Sequence, residues 1–158
     1  MPEKYIESLN RALKALQIAD HMTYITFPLI KEKRLLLKIL DEIHFSLLNA
    51  INSILQFEYL YKRIQLYRDP KENFRTFIEK CAPRYELTKE QVDMILDIFA
   101  LEEKHKKSPM EFIKNNKVVI MSESLNTNYI DLQKIKEFLI LSKEIVRKAK
   151  ERITNKKV

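Results

Sequence analysis

The chain contains no glycine among its 158 residues. Loops that cradle phosphate groups need residues without a Cβ, because only then can successive backbone N–H groups approach the anion closely. The P-loop, the dinucleotide-binding G-x-G-x-x-G, the nucleophile elbow G-x-S-x-G and the kinase glycine loop are therefore excluded. The glycine-dependent RNA motifs of KH and RRM domains go with them. Tight hairpins are disfavoured for the same reason, since their turns want residues at positive φ.

The apolar residues recur at helical spacing. A first helix is expected from near Glu3, with Ile6, Leu9, Leu13 and Leu16 inward, fading before Phe27-Pro28. A second is expected from about Glu32 to Arg68, a span free of proline. Leu36, Ile39, Leu40, Ile43, Leu47, Ala50, Ile51, Ile54 and Phe57 fill one broad face of it. Asp41, Glu42, Ser46, Asn49, Asn52, Ser53 and Gln56 share the opposite stripe. So wide an apolar arc marks the central helix of a bundle.

Asp69-Pro70 is a stop signal. A short helix should follow, with Phe74, Phe77, Ile78 and Cys81 on one face, ended by Pro83. Thr88 with Gln91 forms a capping box, opening a helix that carries Val92, Ile95, Leu96 and Phe99 inward to about Lys106. Ser108-Pro109-Met110-Glu111 has the form of another helix start, and Asn115-Asn116 of its end. Lys117 to Met121 is a β-branched run and is expected to be extended, as a strap over one end of the bundle. Ser122 to Asn128 has the composition of a loop. The last helix should run from about Asp131 to Thr154, with Ile135, Phe138, Leu139, Ser142, Ile145, Val146, Ala149 and Ile153 inward. The fold class expected is thus all-α, a single domain over residues 1–158, built as an antiparallel helical bundle with a long central second helix and a short extended strap before the last helix.

The formal net charge is +7, and much of it is local. From Lys143 to Lys157 seven basic residues meet two acidic ones, and a second basic stretch runs from Lys104 to Lys117. Charge runs are most often solvated faces. Lys104, Lys106, Lys107, Lys114, Lys117, Lys143, Arg147 and Lys150 are nevertheless candidate contacts for RNA, DNA or an acidic partner. No apolar run approaches the roughly 20 residues of a membrane span. Met1-Pro2-Glu3-Lys4 lacks the form of a secretory signal, and the single cysteine, Cys81, cannot pair within the chain. A cytoplasmic setting without membrane contact is expected.

Two carboxylate-x-x-histidine spacings occur, Asp41-x-x-His44 and Glu102-x-x-His105. In di-iron helical bundles a Glu-x-x-His on each of two helices joins glutamates from two others. Here Asp41 has the shorter reach and falls in the polar stripe, and His105 sits inside Lys104-His105-Lys106-Lys107. On sequence grounds Glu102 and His105 are therefore surface groups near a helix C-terminus. No metal ligand, cofactor or catalytic residue is assigned. Cys81 has no activating base beside it and is expected in the core. Phe57, Tyr59, Tyr61 and Tyr67 lie near Lys62, Arg63 and Arg68, a mixture that can stack bases but more often packs.

In its bundle organisation and long hydrophobic second helix the chain resembles the HEPN group. Those are small all-α bundles, often dimeric, linked to nucleotidyltransferases or RNA cleavage. Active HEPN nucleases carry an arginine, four to six residues, then histidine. Arg11 and His21, and Arg34 and His44, are each separated by nine residues, so no catalytic residue carries over. The stretch from Ser108 to Ser124 also resembles an archaeal family, which implies no particular activity. Together these features lead us to expect a non-enzymatic protein-interaction module that self-associates, as a dimer, through excess apolar surface. Nucleic-acid binding through the basic patches is the alternative, and a metal-dependent bundle enzyme comes third.

Overall fold

The computed structural model describes residues 3–155. Met1, Pro2, Lys156 and Lys157, used in the sequence reading, lie outside them. Helix α1 (Glu3–His21) passes through a turn of π-helix (Met22–Thr26) into the short α2 (Phe27–Ile30). The long α3 (Leu35–Leu60) follows, then α4 (Pro70–Thr76), a second π-helical turn (Phe77–Cys81), α5 (Ala82–Arg84) and α6 (Lys89–Lys107). Strands β1 (Met110–Lys114), β2 (Lys117–Met121) and β3 (Thr127–Ile130) precede α7 (Leu132–Thr154). The fold is mostly α, but the three strands form an antiparallel sheet in the order β1-β2-β3, so it is not all-α.

The hairpin forms without glycine because Asn115 and Asn116 take its place, at φ 52° and 66°. Asparagine tolerates the left-handed region because its short amide can bond locally. With that turn made, Val118 and Ile120 become the buried face of β2. Pairing with this β-branched strand overrides the helix-start pattern at Ser108-Pro109, and Met110–Lys114 is strand rather than helix. Ser108 Oγ lies 2.7 Å from both Met110 O and Met121 O, where its proton ties the sheet instead of capping a helix.

Helix α3 is shorter than expected at both ends. It closes at Lys62, φ 61°, with Lys62 N–H donating to Tyr59 O and Arg63 N–H to Glu58 O. This is a Schellman ending with lysine where glycine is usual, which is why the composition gave no stop. Glu86 (φ 58°) closes α5 in the same way, through Glu86 N–H to Pro83 O and Leu87 N–H to Ala82 O. The prolines do not end their helices where expected either. Phe27 N–H reaches back to Met22 O, and Ala82 N–H to Phe77 O, both five residues away. Each widened turn comes just before an X-Pro step, at Pro28 and Pro83, and the helical path continues past the ring.

All nine residues of the expected apolar face of α3 are buried. The opposite stripe is the correction. Ser46 Oγ donates to Ala12 O and Ser53 Oγ to Tyr5 O, each at 2.7 Å, and Arg11 Nε donates to Asn49 Oδ1. Ser46, Asn49 and Ser53 form a buried seam against α1, lined there by Ser8, Ala12 and Ala19 rather than Ile6, which is exposed, while Asn52 of the same stripe is exposed. Small residues bring the two helices close enough for side-chain hydroxyls to reach the neighbouring backbone, and each buried hydroxyl is satisfied. The pairings also show that α1 and α3 run antiparallel. α6 and α7 pack on the remaining sides of α3. The expected capping box, Thr88 with Gln91, starts α6, and Asp131 caps α7.

Candidate metal centre

Residues three apart on a helix share a face. Asp41 and His44 therefore project together from α3, and Glu102 and His105 from α6. The two helices pack side by side and antiparallel, so the motifs meet head to tail. His105 Nε2 lies 3.6 Å from Asp41 Oδ1, and His44 Nδ1 lies 3.7 Å from Glu102 Oε2. Asp41, Glu102 and His105 each offer a ligand atom within 4.8 Å of the others. Donors on a tetrahedral ion with bonds of about 2.1 Å sit about 3.4 Å apart, so shifts well under the length of a bond would close the set.

Burial sharpens the arrangement. Glu102 is 5% exposed, and its Oε1 has no hydrogen-bond partner among the described residues. Asp41 Oδ1 is also buried without one, although the Lys106 ammonium stands 3.3 Å away. Burial, and then the hydrogen bond and charge of Asp41, push the Glu102 carboxyl up to about 8, against the opposing pull of Lys106. At neutral pH the Glu102 carboxyl therefore keeps its proton. His44 is lowered from its ordinary value, chiefly by burial, although Asp41 opposes that shift. Its ring packs edge-on against Phe99 at 4.8 Å, and Phe99 stacks on Phe74, which walls that side with hydrocarbon.

The third element to contribute is β1. Glu111 faces inward beside Ile120 and accepts from His105 Nδ1 at 2.5 Å. A carboxylate on one ring nitrogen fixes the tautomer and turns the lone pair of the other nitrogen outward. Here that nitrogen is Nε2, the one facing Asp41. The arrangement matches the carboxylate–histidine support found behind metal-ligating histidines. It can hold a divalent cation or, without one, a proton on Glu102.

The packing of α3 against α6 changes the setting of these residues from the one expected on sequence grounds. Asp41 lies at the edge of its stripe and, although its side chain is 36% exposed, reaches across to His105 on α6. Lys107 pairs with Glu103 on the outer side of α6, and Lys104 lines a separate cavity of about 690 Å³ with Ser122 and Ser124. Of the three lysines in the run only Lys106 reaches the site, on a side chain that is 60% exposed. Glu102 and His105 are not surface groups. Glu111 was missed altogether, because its stretch carried a helix-start pattern.

The other candidate contacts are dispersed. Lys143 pairs with Asp20, and Arg147 with Glu144 and Glu151, while Lys150 is exposed on α7. Lys114 and Lys117 flank the hairpin turn. The aromatic cluster near Arg63 is structural in part: Phe57 is buried, Tyr61 packs on it, and Arg63 grips Glu58 through two bonds of 2.7 and 3.0 Å. Glu58 is itself buried and also meets Arg84 and the Tyr85 hydroxyl. Cys81 is in the core as expected, with its thiol pushed up to about 12 by burial and by Glu58.

No protein-family model, curated protein or solved structure matches the chain.

Proposed function

We propose that the chain is a metal-binding helical protein that holds one divalent first-row transition ion on Asp41, Glu102 and His105. His44 is the fourth donor, and Glu111 supports His105 from behind. One observation carries the reading: Asp41, Glu102 and His105 each bring a ligand atom within 4.8 Å of the others where two carboxylate-x-x-histidine motifs converge, with Glu102 nearly fully buried. Mixed imidazole and carboxylate donors suit zinc, iron or manganese better than calcium or magnesium, which prefer oxygen alone. This reading moves ahead of the sequence-based expectation of no metal and no cofactor.

The test is metal content after purification without chelator, followed by zinc titration of stripped protein. One equivalent bound per chain, lost in His105→Ala and in Asp41→Asn, is the expected result. Stoichiometric binding that survives both substitutions would place the ion elsewhere and end the reading.

Self-association is a second reading. It is favoured by a short stretch in which Ile25, Leu29 and Ile30 are 51%, 80% and 62% exposed. Clustered aliphatic groups at that exposure are uncommon on a monomer. Light scattering of the native chain against Leu29→Lys tests it: a dimer that becomes a monomer supports the reading, and a native monomer removes it.

A further inference from the structure

The outer face of the sheet carries Lys114 and Lys117, two of the candidate contacts, together with Phe112 and Tyr129, which no sequence pattern singled out. Strand register aligns Phe112 with Val119 and Val119 with Tyr129, so the three side chains form one row across the sheet. Val118, Ile120 and Ile130 occupy the other face and are buried. The row therefore looks outward; Phe112 and Val119 are half-buried and Tyr129 is exposed. Lys114 and Lys117, aligned across the hairpin, stand one step along the same face. Lys117 Nζ lies 4.0 Å from the centre of the Tyr129 ring, and Lys134 Nζ, from the first turn of α7, lies 3.9 Å from it.

Most of the other candidate cations are neutralised, although Lys104 and Lys150 form no ion pair among the described residues. Lys106, Lys107, Lys143 and Arg147 all have carboxylate partners. Lys114, Lys117 and Lys134 form no ion pair among the described residues. Glu111 is the nearest carboxylate on β1, and it points to the opposite face, towards His105. Unneutralised cations thus surround a flat aromatic and aliphatic row.

We infer that this sheet face binds single-stranded nucleic acid, with bases stacked on Tyr129 and Phe112 and phosphates held by Lys114, Lys117 and Lys134. Rings stack any base by its π-face, and the ammonium groups neutralise the backbone beside it. A lysine held over an exposed ring by a weak cation–π contact is readily displaced by a base, and its reach then brings it to the adjacent phosphate. Duplex offers its phosphates but not its base faces, which are already stacked. No glycine loop is required, so the composition that excludes KH and RRM motifs does not exclude this surface. The inference is independent of the metal site, which lies on the opposite side of β1.

The experiment is fluorescence anisotropy with short labelled oligouridine and oligothymidine, a duplex of equal length, an acidic peptide, and vesicles with and without anionic lipid. Single strands are expected to bind, with affinity falling as salt rises and with weaker binding to duplex. Tyr129→Ala and Phe112→Ala should each lower affinity roughly tenfold, while Tyr129→Phe, which keeps the ring, stays near the native value. Lys114→Gln and Lys117→Gln should each reduce the salt slope by about 0.7. Circular dichroism of every variant checks that the fold is intact. No binding at low salt would overturn the inference. So would equal binding of duplex, peptide or anionic vesicles, or binding indifferent to both rings in folded variants.

Discussion

Glu111 on β1 reaches His105 on α6 with a 2.5 Å hydrogen bond, which ties the sheet to the cluster between the helices. Removing that support without altering the direct ligands is a sharp probe of the site. Glu111→Gln is expected to weaken zinc binding by roughly tenfold to a hundredfold, the usual effect of losing a carboxylate behind a ligating histidine. Glu103→Gln, which breaks only the outer pair with Lys107, should leave affinity unchanged. Calorimetric titration of both variants decides the matter, and equal affinities would detach Glu111 from the site.

The raised Glu102 carboxyl gives the metal-free protein a defined response to pH. Well below its ordinary value of 4.5 both folded and unfolded chains hold the proton, and the group contributes no pH dependence. Between 4.5 and about 8 only the folded chain holds it. Protons bound in the folded state then exceed those in the unfolded state, so stability falls as pH rises through that window. Glu102→Gln, a neutral isostere, should flatten this component and stabilise the metal-free protein at pH 8 by about 1–3 kcal/mol. Zinc should act in the opposite sense, stabilising more as pH rises, because it displaces the Glu102 proton. Thermal unfolding across pH, with and without zinc, reads all three effects.

The Asn115-Asn116 turn is open to a direct test. Valine at either position must hold a β-branched side chain in the left-handed region, at a cost of about 1–2 kcal/mol. Asn116→Gly should be neutral or slightly stabilising. Because Glu111 belongs to the same hairpin, Asn116→Val should also weaken zinc binding. Loss of stability with metal affinity intact would show that the hairpin and the cluster are independent.

Glu58 anchors Arg63, Arg84 and Tyr85 beneath the end of α3. Glu58→Ala leaves these partners uncompensated and is expected to cost about 3–5 kcal/mol in urea unfolding. Arg84→Ala should cost about 1 kcal/mol, since Arg84 is partly exposed and Arg63 still holds the carboxylate. Cys81, buried nearby with its thiol at about 12, should react with a thiol reagent only when this region opens. Its labelling rate should therefore rise in Glu58→Ala and stay low in Arg84→Ala.

The helical part of this fold is legible because each signal is local. Thr88 with Gln91 and the apolar face of α3 act within a few residues, and the structure keeps them, whereas Asp69-Pro70 opens α4 instead of stopping α3, which has already ended at Leu60. What stayed hidden depends on which element lies opposite. Ser46, Asn49 and Ser53 look like a solvated stripe until α1 presents Ala12 and the Tyr5 carbonyl to them. Asp41 and His105 look unrelated until α3 and α6 are laid antiparallel, and no periodicity within either helix encodes that pairing. Glu111 was concealed by a different cause: a local capping pattern, correct in form, lost to a strand partner a few residues further on.

The two widened turns, at Met22–Thr26 and Phe77–Cys81, carry a consequence for how this chain tolerates change in length. Each is the site where one residue too many for an even spiral has been taken up, and every position beyond it is rotated by about 100° relative to an unbroken helix. That rotation is what delivers Phe27 and Ala82 to the interior. A one-residue deletion inside either turn would straighten the spiral, swing those side chains towards water and drive the following proline ring into the preceding backbone. Deletions there should be far more damaging than the same loss in the exposed loop around Leu125.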